Sequence, residues 1–506
     1  MTEIATFAAT LANETATAHL MADLALLLGP GDIVTLTGDL GAGKTTAARA
    51  VICYLADDEE LEVPSPTFTL VQAYDLPAFP LLHADLYRIS APDELEEIGL
   101  SPLPDGNVVL IEWPERAGAV LPPDRIDIAF SHSNELGAEA RMAEITGHGK
   151  AAAQIERLKA LRQFLEKAGF AQATRRRMPG DASIRSSARL NQNGTSFFLM
   201  NSPRRPDGPP IYDGKPYSSA VHLAEDVRPF VAMDEALRAN GLSAPEIYHS
   251  DLAQGFLITE DLGPAVFFEG DPPRPIADRY EVATDMLVAL HREALPQRIP
   301  LAGTEYAIPA FDTDALLVEI GLMPEWYLPD RGVMLSAAAR NEFIAMWRGL
   351  LDREIEPARS WVLRDFHSPN LIWLEAREGI KRVGLIDFQD AVFGPPAYDL
   401  VSLLQDARLD VPEMLELALL SRYIKARRAA DQRFDAGAFA ATYAIMSAQR
   451  NTRLLGTFAR LNRRDGKPQY LRHQPRIWAY LTRSLDHPIL ASIKGWYAAH
   501  VPAPVA

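Results

Sequence analysis

The segment Gly38-Asp-Leu-Gly-Ala-Gly43-Lys44-Thr45 has the spacing GxxxxGK[ST]. In such a loop backbone N–H groups cradle phosphate, the lysine reaches the β- and γ-phosphates, and the hydroxyl ligates Mg²⁺. Far downstream, Asp365-Phe-His-Ser-Pro-Asn370 is followed by Ile386-Asp387-Phe388. That second set supplies what kinase-type transfer needs, a carboxylate beside an acceptor hydroxyl and two oxygen-bearing groups for a metal. Asp365 is the predicted base, and Asn370 and Asp387 are the predicted magnesium ligands. One nucleotide centre needs only one such set, so the chain is expected to hold two ATP-using, Mg²⁺-dependent enzymes.

Regular elements must hold these residues in place. Ile33 to Thr37 is a short β-branched apolar run ahead of the glycines, and TAARAVICYL after Thr45 has helical character. Strand, loop and helix is the context a phosphate loop requires. Gly38, Asp39, Leu40, Gly41, Ala42, Gly43, Lys44, Thr45 and Thr46 would line the nucleotide phosphates. In the second set, Trp361-Val-Leu precedes Asp365, Leu371-Ile-Trp-Leu follows Asn370, and Val383-Gly-Leu-Ile leads into Asp387. Each reads as a strand delivering its polar residue at an end.

At 506 residues the chain suits two or three domains. Cys53 is the only cysteine, which excludes an intrachain disulfide and a cysteine-based zinc site. The start, MTEIATFAAT, has no basic leader region, and no apolar stretch approaches the roughly 20 residues of a membrane helix. A cytoplasmic protein with no membrane partner is expected. Residues 1–150 hold 7 Lys+Arg against 24 Asp+Glu, so the whole formal net charge of −17 belongs to them. Such a surface repels a phosphate backbone, which argues against direct nucleic-acid binding and for a basic protein partner. A polar, glycine-bearing stretch from Ser131 to Lys150 precedes a helical pattern from Ala151. Domains of residues 1–150 and 151–506 are predicted.

Three further segments follow the first loop in order: Val63-Pro-Ser-Pro-Thr-Phe-Thr-Leu, His83-Ala-Asp-Leu-Tyr-Arg88 and Ile111-Glu-Trp-Pro-Glu115. With them, residues 1–150 resemble the TsaE family, the ATPase subunit of the bacterial machinery that makes threonylcarbamoyladenosine on tRNA. The resemblance implies a small α/β P-loop fold working with the proteins of the threonylcarbamoyl-transferase complex. It also implies a switch-like segment from Ser65 to Phe68, with Thr67 near the γ-phosphate. Asp85 and Glu112 would stand at the magnesium or the attacking water, with Lys44 on the phosphates, and Trp113 would lie close to the nucleotide.

The second half carries Gly180-Asp-Ala-Ser-Ile-Arg185, Gly255-Phe-Leu-Ile-Thr-Glu-Asp-Leu-Gly263 and Leu290-His291. Arg364-Asp-Phe-His-Ser-Pro-Asn370, Gly394-Pro-Pro-Ala-Tyr-Asp-Leu400 and Gln449-Arg-Asn451 follow. These resemble the aminoglycoside phosphotransferase/choline kinase superfamily, and within it the anomeric kinases of N-acetylmuramate and N-acetylglucosamine used in cell-wall recycling. The resemblance implies a two-lobed protein-kinase-like (α+β) fold, with a small lobe over residues 175–260. Asp181, Ser183 and Arg185 would cover the ATP phosphates, and Glu260 and Leu262 would form the hinge against adenine. Glu319, Trp326 and Tyr327 are acceptor-site candidates, because sugars favour carboxylate acceptors and aromatic faces. The chain departs from the pattern in having Leu363 where kinases carry a bracing histidine, and Phe197 to Asn201 where a strand lysine is expected. Ser186, Ser187 and Ala188 replace an expected basic and aromatic pair.

Two rival readings remain at this level. The chain would be an ATP-dependent protein switch fused to a kinase-like scaffold, or its kinase would act on an amino alcohol or aminoglycoside. A polycationic aminoglycoside calls for a strongly acidic pocket, whereas residues 151–506 balance to zero charge.

Overall fold

The structure is a computed structural model and describes residues 3–504 apart from 92, 105, 134–136, 179–184 and 206–207. It forms two compact units, Met1–Pro203 with Ile247–Asp261, and Arg204–Glu246 with Leu262–Ala506.

The first unit contains a seven-stranded sheet made of β1 (Ile4–Leu11), β2 (Ile33–Thr37), β3 (Val71–Asp75), β4 (Pro80–Asp85), β5 (Val108–Glu112), β6 (Arg125–His132) and β7 (Arg141–His148), in the order β1-β7-β6-β2-β5-β4-β3. β2 pairs parallel with β5 and β6, and β4 pairs parallel with β5. A central parallel strand is covered on both faces, which explains the unbroken run IVTLT in β2, buried from Ile33 through Leu36. Helix α1 (Glu14–Ala25) starts where the Asn13 side chain accepts the Ala16 N–H. Helix α2 (Lys44–Ala56) springs from the glycine loop after β2. Gly38 turns that loop at φ +133°, where a Cβ would collide with the carbonyl oxygen of Phe130. Parallel strands end on one edge, so β4 and β5 deliver Asp85 and Glu112, direct register partners, beside the loop.

The unit does not end with this sheet. Helix Ala151–Lys167 buries Ile155, Leu158, Leu161 and Leu165, a spacing of three to four residues that marks one helical face. An antiparallel five-stranded sheet follows in the order Ile247–Asp251, Phe256–Glu260, β10 (Thr195–Asn201), β9 (Ser186–Gln192) and β8 (Thr174–Arg177). One hydrophobic core joins Leu24 and Val51 to Leu161, Leu190 and Ile258. Asp23 of α1 is buried and accepts from Arg162 at 2.8 Å and from Arg175 of β8 at 2.8 Å. The compositional change near residue 150 therefore marks the passage from β7 into a helix, and compactness extends beyond it.

In the second unit two short antiparallel pairs frame the downstream motif. Ser360–Val362 pairs with Val392–Gly394, and Leu371–Trp373 with Val383–Leu385. The same unit holds the 30-residue helix Ala436–Asp465, opened by Asp435, whose carboxylate accepts the Gly437 and Ala438 N–H groups. Gly466 closes it at φ +64°.

Candidate active sites

In the first unit the loop closes around Lys44. Its Nζ donates to the carbonyls of Gly38 at 2.7 Å and Asp39 at 2.9 Å, and stands 3.8 Å above the Trp113 ring. Burial lowers the Lys44 pKa against the opposing pull of Glu112, Glu115, Asp85 and Asp39. Thr45 Oγ1 donates to Glu112 Oε2 at 3.0 Å, and Glu112 Oε1 meets His83 Nε2 at 3.0 Å. A carboxylate only accepts, so His83 carries a proton on Nε2. Asp85 Oδ2 accepts from Thr67 at 2.7 Å and Ser65 at 3.2 Å, while Oδ1 accepts the Tyr87 N–H at 2.9 Å. Lys44, Thr45, Thr67, Asp85, Glu112 and Trp113 thus gather at one sheet edge. Asp39 and Leu40 are exposed at the loop tip, and Thr46 is half-buried in the first turn of α2. The Thr45 hydroxyl and Glu112 carboxylate are hard oxygen donors of the kind Mg²⁺ takes.

In the second unit Asp365 is 31% exposed, with Oδ1 3.9 Å from both Arg450 Nη2 and Arg453 Nη2, and 4.0 Å from His367 Nε2. Burial alone would raise its pKa, but Arg453, His367, Arg450 and Arg364 reverse this and hold it at about 2. The candidate base is therefore ionised at any working pH. Asn370 Nδ2 donates to the Asp365 carbonyl at 3.0 Å and reaches Asp387 Oδ2 at 3.5 Å. Asp387 Oδ1 accepts from Gln389 at 2.7 Å, and the residue is exposed at φ +59°. The amide oxygen of Asn370 and the Asp387 carboxylate are again donors suited to Mg²⁺.

A buried aspartate takes over the bracing that a histidine at position 363 would supply. Arg364 sits at φ +71°, a strained conformation for a non-glycine residue. The N–H groups of Leu363 and Arg364 donate to Asp399 at 2.7 and 2.8 Å, and Ser402 Oγ donates to the Arg364 carbonyl at 3.3 Å. Burial pushes the Asp399 carboxyl up to about 7, against those two donors.

Two acceptor-site expectations need correction. Glu319 is fully buried, and its carboxylate is occupied by Arg364, by Arg453 at 3.0 Å and by Gln449 at 2.9 Å. It holds the arginines that surround Asp365 and offers no face to a sugar. Tyr327 is also fully buried, donating to the Pro502 carbonyl at 2.8 Å, and Trp326 is half-buried. Residue type, a carboxylate beside aromatic rings, made them acceptor candidates, whereas Glu319 and Tyr327 pack inward. Asp181 and Ser183 lie outside the described residues. Arg185 precedes β9, Glu260 pairs with Phe197 at the end of its strand, and Leu262 opens the second stretch of the other unit. Asp399, Arg450 and Arg453 went unassigned in the sequence. The legible signals were a carboxylate within GPPAYDL and two arginines three residues apart on one helix.

The first site defines a P-loop nucleotide-hydrolysing fold, and the second a two-lobed phosphotransferase of the protein-kinase-like fold. The family described as "Threonylcarbamoyl adenosine biosynthesis protein TsaE" matches residues 11–142, and that described as "Phosphotransferase enzyme family" matches residues 174–436. The chain is 37% identical over 360 residues to an N-acetylmuramate/N-acetylglucosamine kinase of Caulobacter vibrioides, covering 69% of this chain and 97% of that one. It is 32% identical over 320 residues to the like-named kinase of Pseudomonas aeruginosa, covering 62% and 84%. A tRNA threonylcarbamoyladenosine biosynthesis protein TsaE of Rickettsia felis is 38% identical over 157 residues, covering 31% of this chain and 90% of that one. The chain belongs to the phosphotransferase enzyme family, with a TsaE-family ATPase domain ahead of the kinase in the same polypeptide.

Proposed function

We propose that this bifunctional protein phosphorylates the anomeric hydroxyl of N-acetylmuramate or N-acetylglucosamine and also serves as the ATPase subunit for threonylcarbamoyl modification of tRNA adenosine. What carries the kinase reading is an ionised Asp365 between Arg450 and Arg453, beside Asn370 and Asp387. Asp365 would orient the sugar hydroxyl and take its proton as the oxygen bonds to the γ-phosphorus of ATP and the bond to ADP breaks. A carboxylate with a pKa of about 2 is a weak base, so its main contribution is orientation, which suits the loose transition state of phosphoryl transfer. Asn370 and Asp387 would hold Mg²⁺, which neutralises charge on the phosphates. In the first unit Thr45 and Glu112 would hold Mg²⁺, while Asp85 and Glu112 would position the attacking water.

The acidic surface of residues 1–150 supports docking onto basic proteins of the threonylcarbamoyl-transfer machinery without a direct grip on RNA. The arginines around Asp365 disfavour a polycationic aminoglycoside as acceptor. A cytoplasmic location fits both activities, and among the described residues no helix is long and apolar enough to cross a membrane. The test is to incubate the full chain with ATP, Mg²⁺ and each amino sugar and identify the product by phosphorus NMR. An α-1-phosphate is expected. Only a 6-phosphate, or choline turnover without amino-sugar turnover, would overturn the assignment.

A further inference from the structure

The loop that carries Asp365 is fastened on both sides by buried carboxylates. On one side Asp399, in the first turn of the helix Ala397–Leu404, takes the N–H groups of Leu363 and Arg364. On the other, Asp406, just beyond the end of that helix, takes Ser368. Its Oδ2 accepts the Ser368 N–H at 3.0 Å and the Ser368 hydroxyl at 2.5 Å. Asp406 and Ser368 are each only 1% exposed. Asp406 Oδ1 accepts the Arg408 N–H at 2.8 Å, a local turn that fixes the direction of the carboxylate.

Ser368 opens the single turn Ser368–Asn370, and His367 ahead of it gives that turn no side-chain acceptor. Asp406 supplies one from elsewhere in the chain. The turn ends on Asn370, whose N–H donates to the His367 carbonyl at 2.9 Å and whose Nδ2 donates to the Asp365 carbonyl at 3.0 Å. The Asn370 carbonyl in turn accepts the Ile386 N–H at 3.1 Å, next to Asp387. Asp365, Asn370 and Asp387 are therefore joined through a turn whose first residue Asp406 grips. Hydrogen bonds to a buried charge are the strong kind, and breaking them leaves the partner unsatisfied. We infer that Asp406 is a positioning residue of the kinase centre, acting through Ser368 to set where Asp365 and Asn370 stand. This rests on reading Asp365, Asn370 and Asp387 as the phosphotransfer centre, whichever acceptor is used.

The test uses the full chain with Asp406→Asn, which keeps the shape and removes the charge, and with Ser368→Ala, which cuts the hydroxyl contact at its other end. The first readout is hydrogen–deuterium exchange in the protein without nucleotide or Mg²⁺. Exchange over residues 363–373 should quicken about tenfold in Asp406→Asn and by less in Ser368→Ala, with the helix Ala436–Asp465 unchanged. The second readout is steady-state transfer to each amino sugar. In Asp406→Asn kcat should fall about 10- to 100-fold while the sugar KM stays within about threefold, and Ser368→Ala should show a smaller fall. Unchanged exchange over 363–373, exchange raised evenly through the unit, or a kcat equal to the parent's would overturn the inference. If Asp406→Asn does not fold, Ser368→Ala decides by the same two readouts. A parent that transfers phosphate to no sugar or amino alcohol would remove the kinase centre and this inference with it, a result distinct from an unchanged kcat.

Discussion

Replacing Glu319 by Gln tests whether this residue is an internal ion hub or a sugar contact. Its carboxylate is fully buried and answers Arg364, whose side chain is 1% exposed, and Arg453, whose side chain is 12% exposed. Burial alone would raise the Glu319 pKa, but Arg453 and Arg364 outweigh it and the carboxyl is held below its ordinary value. The amide keeps the shape and one acceptor oxygen but removes the charge both arginines face. Removing one partner of a buried pair costs about 3–5 kcal/mol. The retained oxygen puts Glu319→Gln near the lower end. At roughly 2–4 °C per kcal/mol for a unit of this size, Tm should fall by about 6–12 °C. Arg453 also sets the charge state of Asp365 and Arg364 adjoins it, so kcat should fall as well, while the KM values for sugar and ATP change by similar factors. The measurements are thermal unfolding and steady-state kinetics with each substrate varied. An unchanged Tm with a selective rise in the sugar KM would refute the hub reasoning and return Glu319 to the acceptor site.

Lys44→Ala should abolish the P-loop ATPase and spare sugar phosphorylation, while Asp365→Asn should lower kinase turnover by about 10²–10⁴-fold and spare the ATPase; loss of both activities in either variant would break the two-engine reading. Asp365 titrates at about 2 in the folded chain and near 3.9 when unfolded, so between those values the folded state binds fewer protons. Its contribution to stability is therefore complete above about pH 4 and is lost as pH falls toward 2, and denaturant unfolding of the parent and Asp365→Asn should show the difference narrowing only below pH 4. Asp23→Asn should destabilise the first unit by about 3–5 kcal/mol and lower the inactivation temperature of both activities together, which a heat-challenge assay of each would show. Docking through the acidic surface should weaken as salt rises, because exposed charges are screened beyond about 8 Å at physiological ionic strength; salt-insensitive binding to the transfer-complex proteins, measured by titration calorimetry, would exclude that mode.

The placement of the candidate groups was more legible in the sequence than the residues that support them. Lys44, Thr45, Asp85 and Glu112 stand at the ends of elements whose strand and helix patterns are local, so short-range reading places them. Asp365, Asn370 and Asp387 are legible for the same reason. Glu319 is different, because whether a helical carboxylate faces solvent or an arginine depends on a helix more than a hundred residues away. Tyr327 fails likewise, since its hydroxyl meets the Pro502 carbonyl near the other end of the second unit. Asp399 braces the loop at Leu363 and Arg364 through backbone N–H groups, and backbone donors leave no trace in residue identity.

The shared core of the first unit changes how the fusion is to be understood. The two families account for residues 11–142 and 174–436, and the helix Ala151–Lys167 falls between them. That helix contributes to neither site, yet Ile155, Leu158, Leu161 and Leu165 join the core that contains Leu24, Val51, Leu190 and Ile258. Phe164 stacks on Phe256 at 5.5 Å, and Arg157 bridges to Asn201 at 3.0 Å. Each fully buried side chain of this kind is worth about 1.5–3 kcal/mol relative to exposure. Exposing four of them, together with an unpaired Arg175, would cost about as much as the whole stability margin of an ordinary domain. Cutting the chain at residue 150 would therefore strip the helix and the five-stranded sheet of their packing partner. A fragment of residues 151–506 should be recovered aggregated or without kinase activity, whereas the full chain retains it. A soluble, active fragment with a parent-like Tm would show that the common core is dispensable.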